Sequence, residues 1–503
     1  MDEQYAIELK NITKTFGSVT ANDKVNLKVK SHEILSILGE NGSGKTTLMN
    51  MIAGIYRPDS GQIFINGKEV QIHSPKDAYD YHIGMIHQHY KLVNIFTAAE
   101  NIILGTDTSA VIDMKSVKEK INEICSTYGF KLDPDQKIYD MSISQKQTVE
   151  IVKVLYKGAD VLILDEPTAV LTPQEADALF EVLKNMRKAG KSVIIITHKL
   201  NEVMAISDRV TILRKGQYID TVETSKATIP MLTEMMVGEK ISLDIERTDP
   251  VNTSDVLKVE GLTCYNREGL KALDNVTFTA RRGEILGIAG IAGCGVKELF
   301  ESIAGIQRVS GGKVTFINSE NKDIDITNKS PVGIKRTGAH ISFVPEDRLG
   351  MGLVGSMGMT GNVMLRTYEN GNDPLVHRKE PRTLAEKIKR KLEVVTPGTE
   401  YPVRRLSGGN VQKVLVGREI SSHPDVLMVA YPVRGLDINS SYAIYNQLNR
   451  QKEKGAAVIS VIEDLDVILQ LCDRILVMNN GRVTGLLDAR TTTKEEVGYL
   501  MTA

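Results

Sequence analysis

Gly39-Glu40-Asn41-Gly42-Ser43-Gly44-Lys45-Thr46, directly after the apolar run Ile34–Leu38, decides the fold. A G-x-x-x-x-G-K-T string that follows a strand and opens a helix is a phosphate loop. Its glycines let consecutive backbone N–H groups point into one concavity, and the helix that starts there adds a positive dipole. Lys45 is placed to reach terminal phosphates and the Thr46 hydroxyl to take Mg²⁺. The cradle expected from this stretch is Gly39, Asn41, Gly42, Ser43, Gly44, Lys45, Thr46 and Thr47. A second apolar strand at 161–164 delivers Asp165-Glu166 at its carboxyl end, where open α/β sheets bind ligands. Two acids at a strand end also fit a solvated turn. After a phosphate loop they read as a site, with Asp165 holding Mg²⁺ through water and Glu166 polarising a water for in-line phosphoryl transfer.

The chain repeats itself. Ala21-Asn22-Asp23-Lys24-Val25-Asn26-Leu27 returns as Ala272-Leu273-Asp274-Asn275-Val276-Thr277-Phe278, and Gly39 returns as Gly290, both 251 positions on. Asp165 returns as Ala430, 265 positions on, so the second copy holds about fourteen extra residues, part of them expected in the Gly/Met-rich run 350–360, which reads as loop. Each half reads as strands, a phosphate loop, a mainly helical middle, then alternating strands and helices, an α/β pattern with an attached helical subdomain. The expected domains are 1–240 and 255–503, joined by a short linker at 241–254.

Composition narrows the function. The 503 residues are 42% hydrophobic and 25% charged, and 62 Lys+Arg against 63 Asp+Glu leave a net charge of −1. That balance belongs to a globular protein and gives no field to hold a polyanion, so no nucleic-acid partner is expected. The longest apolar runs, such as 193–196, are strand-sized and far short of a membrane span. An acidic start, Met1-Asp2-Glu3, lacks the pattern of a secretion signal and points to the cytoplasm. Cys125, Cys264, Cys294 and Cys472 show no metal spacing and read as isolated thiols.

With these motifs the sequence resembles the ATP-binding-cassette (ABC) family in two fused copies. The resemblance implies two P-loop NTPase domains, each with a RecA-like core and a helical subdomain, at about 88–147 and 346–411. Gln88, in Gly84-Met85-Ile86-His87-Gln88-His89, matches the family's glutamine loop, a Mg²⁺ contact that senses the transport partner. His198, after 193–196, matches the switch histidine on the γ-phosphate, and Phe16 the adenine-stacking aromatic. Unaided, His198 reads as a surface histidine at a strand end and Phe16 as a core residue.

The second half departs from the pattern. Gly290-Ile291-Ala292-Gly293-Cys294-Gly295 keeps its glycines, but Val296 stands where the lysine belongs and Lys297 follows one position late, about 100° around the helix. Ala430-Tyr431 replaces the acidic pair, Glu463 the switch histidine and Glu346 the glutamine. The signature shows the reverse asymmetry: Leu406-Ser407-Gly408-Gly409-Asn410 is intact, whereas the first half reads Met141-Ser142-Ile143-Ser144-Gln145. In this family each ATP lies between the phosphate loop of one domain and the signature of the other. The resemblance therefore implies one complete composite site, in which Ser407, Gly408, Gly409 and Asp437 close over the first cradle, and one doubly defective site.

A fused pair without a membrane domain most resembles the ATPase subunit of importers, working on the cytoplasmic side of the membrane with separate permease subunits and, through them, a substrate-binding lipoprotein or receptor. An aromatic after Gln88-His89 favours the nucleoside type, with a monosaccharide importer as the alternative. A soluble tandem cassette acting on ribosomes is disfavoured: the linker is short, one site is degraded, and 5% aromatic residues offer few surfaces for stacking on RNA.

Overall fold

The computed structural model describes residues 4–17, 19–87, 91–106, 112–169, 171–239, 245, 247–251, 253–266, 268–291, 293–368 and 377–502. The chain divides into two compact units, Met1–Ser242 and Leu243–Ala503.

In the first unit the chemistry-bearing strands lie in a six-stranded sheet ordered Gln217–Glu223, Arg209–Arg214, Ile34–Leu38, Ser192–Thr197, Val161–Asp165, Ile83–Ile86. All neighbours are parallel except the first pair. Strands covered on both faces need near-continuous apolar sequence. Ile34–Leu38 and Ser192–Thr197 are buried at every position, and the lone polar group in the former, Ser36, is bonded to the Ser207 hydroxyl at 2.5 Å. A four-stranded antiparallel sheet, ordered Val19–Lys30, Tyr5–Phe16, Ser60–Ile65, Lys68–Val70, packs its apolar face on the helix Lys45–Ile52 to form one core. On the other face of the six-stranded sheet lies the helix Pro173–Lys188, started by a reciprocal cap between Thr172 and Glu175. The helical subdomain comprises Ala98–Ile103, Met114–Tyr128 and Ile143–Tyr156 around Ile102, Ile121, Ile138 and Val149.

The second unit repeats this plan. Its six-stranded sheet runs Ile341–Val344, Val426–Ala430, Ala457–Val461, Ile285–Gly290, Arg474–Asn479, Arg482–Asp488, and its four-stranded sheet is ordered Lys271–Arg281, Asp255–Tyr265, Gly311–Ile317, Asp323–Asp325. The run 350–360 is loop over residues 353–358, as expected, but not at its two ends. It contains most of a π-helical turn, Arg348–Gly352, and the start of the helix Met359–Thr367. The Asp347 carboxylate caps that turn by accepting from Gly350 N at 2.8 Å, and a Cβ on residue 350 would lie 2.1 Å from it, so glycine here serves a turn and not a loose segment.

Because Ile37 is wholly buried in a central strand, Ile37→Ala should lower the unfolding free energy of the first unit by about 2–5 kcal/mol in urea titration. A loss under about 0.5 kcal/mol, the range of surface substitutions, would contradict the packing described.

Candidate functional site

Three adjacent parallel strands of the first unit, Ile34–Leu38, Ser192–Thr197 and Val161–Asp165, end on the same edge of the sheet. Lys45, His198 and the pair Asp165-Glu166 therefore converge, although they are spread over more than 150 residues of sequence. The loop itself is shaped by glycine. Gly42 and Gly44 have φ of 81° and 94°, and a Cβ would fall 2.3 Å from Leu213 O at Gly39 and 2.3 Å from Ala21 O at Gly44. Ser43 is buried, and its hydroxyl has no partner among the described residues. That orphaned donor in a concavity of backbone amides fits an anionic oxygen.

Lys45 is buried with its ammonium on the loop's own carbonyls, Gly39 O at 2.6 Å and Glu40 O at 2.9 Å. Burial pulls its pKa down, and the charges of Glu166, Asp165 and Glu40 oppose that shift. Burial, then the charge of Glu166, pushes the Asp165 pKa up; a hydrogen bond with the Thr46 side chain works against it. Thr46 and Asp165 are thus together, the oxygen pair a Mg²⁺ ion would take. Glu166 sits in the left-handed region at φ 48°, its N–H donating to Ile196 O at 2.9 Å. That conformation is uncommon for a side-chain-bearing residue and turns the carboxylate back over the loop. His198 Nδ1 lies 2.8 Å from Glu166 Oε1, and this bond holds the Glu166 pKa below its usual value, so the carboxylate is charged at neutral pH.

The remaining expected residues fall as follows. Gln88 lies outside the described residues. Phe16 is 45% exposed at the end of its strand, edge-on to Tyr56 at 5.3 Å, and so is a surface ring and not the core residue its hydrophobicity suggests. Asn41 and Thr46 are exposed and Thr47 is half-buried in the first turn of the loop helix.

The second unit builds the same edge with different chemistry. Val296 is the first residue of the helix Val296–Ile303 and is buried, whereas the Lys297 side chain is 71% exposed and points at Glu301, 4.0 Å away. Tyr431 repeats the turn of Glu166, with φ 49° and its N–H donating to Val461 O at 3.1 Å. Burial, with the nearby Cys294, Glu346 and Glu463, pushes its phenol up to about 12, so it carries no charge. Glu463 and Glu346 both pair with Arg434. Among the described residues, no ammonium and no acid pair remain at this loop.

The two signature segments also differ. Ser142 caps the helix Ile143–Tyr156 in a closed box with Gln145, and its hydroxyl is 3.0 Å from that of Ser144. Ser407 caps Gly408–Ile420 and is exposed, with Asn410 Nδ2 donating to its hydroxyl at 2.8 Å. The first-turn amides of Gly408 and Gly409 have no acceptor within their helix and no side chain of their own. Asp437 is the N-cap of Ile438–Glu453, and both carboxylate oxygens are engaged by Ser440 at 2.7 Å.

Sequence reading missed a support present in both units. The buried Gln147 donates to Pro167 O at 2.8 Å, and Gln412 to Pro432 O at 2.8 Å. Each ties the helix after the signature to the residue that follows Glu166 in the first unit and Tyr431 in the second. The common spacing of 265 between the pairs was the available signal.

The ABC transporter family profile matches residues 22–169 and 273–432. Over 506 residues, covering 100% of this chain and 99% of the relative, the chain is 41% identical to the nucleoside import ATP-binding protein NupA of Lactococcus lactis subsp. cremoris. It is 40% identical to the guanosine import ATP-binding protein NupO of Bacillus subtilis, over 99% of this chain and 97% of that one. Identity to the glucose import ATP-binding protein TsgD13 of Haloferax volcanii is 38%, over 100% and 96%. A solved complex of the archaeal ribosome recycling factor aABCE1 with the stalk protein aP1 matches 97% of this chain and 92% of that chain at TM-score 0.63 and 16% identity, a likeness of fold alone. With a phosphate-loop cassette in each half and full-length identity to import ATP-binding proteins, the chain belongs to the ABC transporter family, as an ATPase with two cassettes fused in tandem.

Proposed function

We propose that the protein hydrolyses ATP at one composite site to drive import of a nucleoside through separate permease subunits at the cytoplasmic face of the membrane. The observation that carries the ATPase half of this reading is the division of parts. The first unit brings Lys45, Asp165, Glu166 and His198 together, and the second unit alone keeps the exposed Ser407-Gly408-Gly409 helix start. Each unit lacks what the other has, which suits a head-to-tail pairing in which Ser407 and the Gly408 and Gly409 amides close over nucleotide held by the first loop.

In that site Lys45 would exchange its two loop carbonyls for phosphate oxygens, and the loop amides with the Ser43 hydroxyl would hold the rest of the polyphosphate. Phe16 is placed to stack on the base. Mg²⁺, taken by Thr46, Asp165 and Gln88, would supply charge neutralisation on the phosphates. Glu166, kept ionised by His198, orients and polarises the attacking water, and His198 is the group positioned to register the γ-phosphate.

The importer half rests on the relatives. Full-length identity to proteins named for nucleoside and guanosine import, 41% and 40%, is matched nearly by glucose import at 38% and xylose import at 37%, so a monosaccharide remains the alternative cargo. A docking face for a permease is available in the second unit, where Leu349, Met351, Val354 and Met357 stand 37–43% exposed beside the Glu346 position. No helix among the described residues is long and apolar enough to cross a membrane. A receptor on the far side would confer selectivity.

Three outcomes follow. Lys45→Ala should weaken ATP binding about 10- to 150-fold, the loss of a charge-assisted contact of roughly 1.5–3 kcal/mol, read by fluorescent-nucleotide titration; unchanged affinity would remove the first loop from the site. Ser407→Arg should abolish turnover while Ser144→Arg leaves it within about twofold, since only the former meets an active cradle; equal losses would mean two working sites. Cells lacking the protein should lose uptake of labelled guanosine and keep that of ribose and galactose, the reverse pattern assigning a sugar.

A further inference from the structure

We infer that Arg348 is a positioning residue for the ATP lid: its guanidinium, forked between the Arg434 and Gly408 carbonyls beside an ion-pair network in the degenerate site of the second unit, holds the start of the signature helix in the orientation that closes the productive site. The inference rests on the composite-site reading above and assigns a use to the half that has lost phosphate chemistry.

Arg434 occupies the middle of that network. It pairs with Glu346, at the glutamine position, and its Nε lies 3.5 Å from Glu463, at the switch position; its guanidinium stands 5.7 Å from the Tyr431 ring centre. In the first unit the corresponding residue is Ala169, so this cation has no counterpart there. The two glutamates, which would repel a γ-phosphate, are instead bridged by a resident positive charge.

Arg348 carries the arrangement to the lid. One of its Nη atoms donates to the Arg434 carbonyl and the other to Gly408 O, at 3.1 Å. A forked guanidinium can hold two carbonyls at once in fixed geometry, which a single ammonium does less well. The fit is close enough to restrict the lid residue, because a Cβ at 408 would lie 3.3 Å from Arg348 Nη1. At the equivalent position of the first unit, Ile143, a side chain is present.

The other end of the same helix is fastened to the same turn. The buried Arg418 donates to Gly352 O at 2.7 Å and to Glu419 Oε1 at 2.8 Å. Glu419, itself 1% exposed, takes Arg366 on both oxygens at 2.9 Å. The π-helical turn Arg348–Gly352 is thereby bound to the helix Gly408–Ile420 near both ends and moves with it as one body. The matching first-unit positions are Lys153 and Val154, which cannot form this brace. Arg434, Glu346 and Glu463 are each about half exposed, and ion pairs of that kind contribute little to folding stability. Their geometry, more than their energy, is what the network supplies.

The test uses steady-state ATP hydrolysis and fluorescent-ATP binding by the full chain. Arg348→Met keeps the apolar stem and removes the guanidinium. It should lower kcat about tenfold or more while nucleotide affinity of the first loop stays within about twofold and the melting temperature is unchanged. Arg348→Lys should recover part of the rate. Arg434→Ala should also slow turnover by leaving Glu346 and Glu463 facing each other, and adding Glu463→Gln should restore some of it. Turnover of Arg348→Met within twofold of the parent, or losses that track melting temperature across the series, would overturn the inference. Ser407→Arg is the control: if it retains turnover, the composite site itself fails and the inference with it, whereas if it abolishes turnover and Arg348→Met does not, only the positioning role is lost.

Discussion

A buried ammonium facing two carboxylates is the constraint on which the rest depends. Lys45 is held out of water, where an unpaired cation is costly, by two loop carbonyls and by the field of Asp165 and Glu166. The sheet must therefore set the strand that ends in the acids close to the strand that ends in the loop. One strand, Ser192–Thr197, separates them, and it delivers His198 onto Glu166. The loop glycines, the strained turn at Glu166 and the apolar strands behind them all serve that convergence.

The second unit shows what the same backbone does when the ammonium is gone. Val296 joins the core, Lys297 turns to solvent, and the turn that carries Glu166 in the first unit presents a neutral, half-buried tyrosine. The freed edge is filled by salt bridges among Glu346, Arg434 and Glu463, and the neighbouring signature helix keeps its bare glycine start. The absence of that chemistry from one edge and the intact glycine helix start beside it are what the proposed single composite site requires.

Much of this was legible because the decisive signals are short strings with fixed backbone consequences. The phosphate loop, the acid pair at a strand end and the tandem repeat can be read without tertiary information. The bracing arginines could not, because Arg348 reaches partners 60 and 86 residues away and Arg434 one 88 residues away. The run 350–360 reads as loop from its glycines, yet its start belongs to a π-helical turn held by the preceding Asp347 and by the distant Arg418. Phe16 reads as core by hydrophobicity alone; its exposure at the end of the strand Tyr5–Phe16, beside Tyr56, depends on where the sheet leaves that strand end, which hydrophobicity does not report.

The central claim, that one cradle does the work for both halves, is tested most directly by trapping. A photoreactive ATP analogue with vanadate, followed by proteolysis and mass mapping, reports which loop holds nucleotide at the hydrolytic step. Label is expected at the peptide containing Lys45 and none above background at the peptide containing Val296. Trapped, magnesium-dependent label on the Val296 peptide at a comparable level would contradict it.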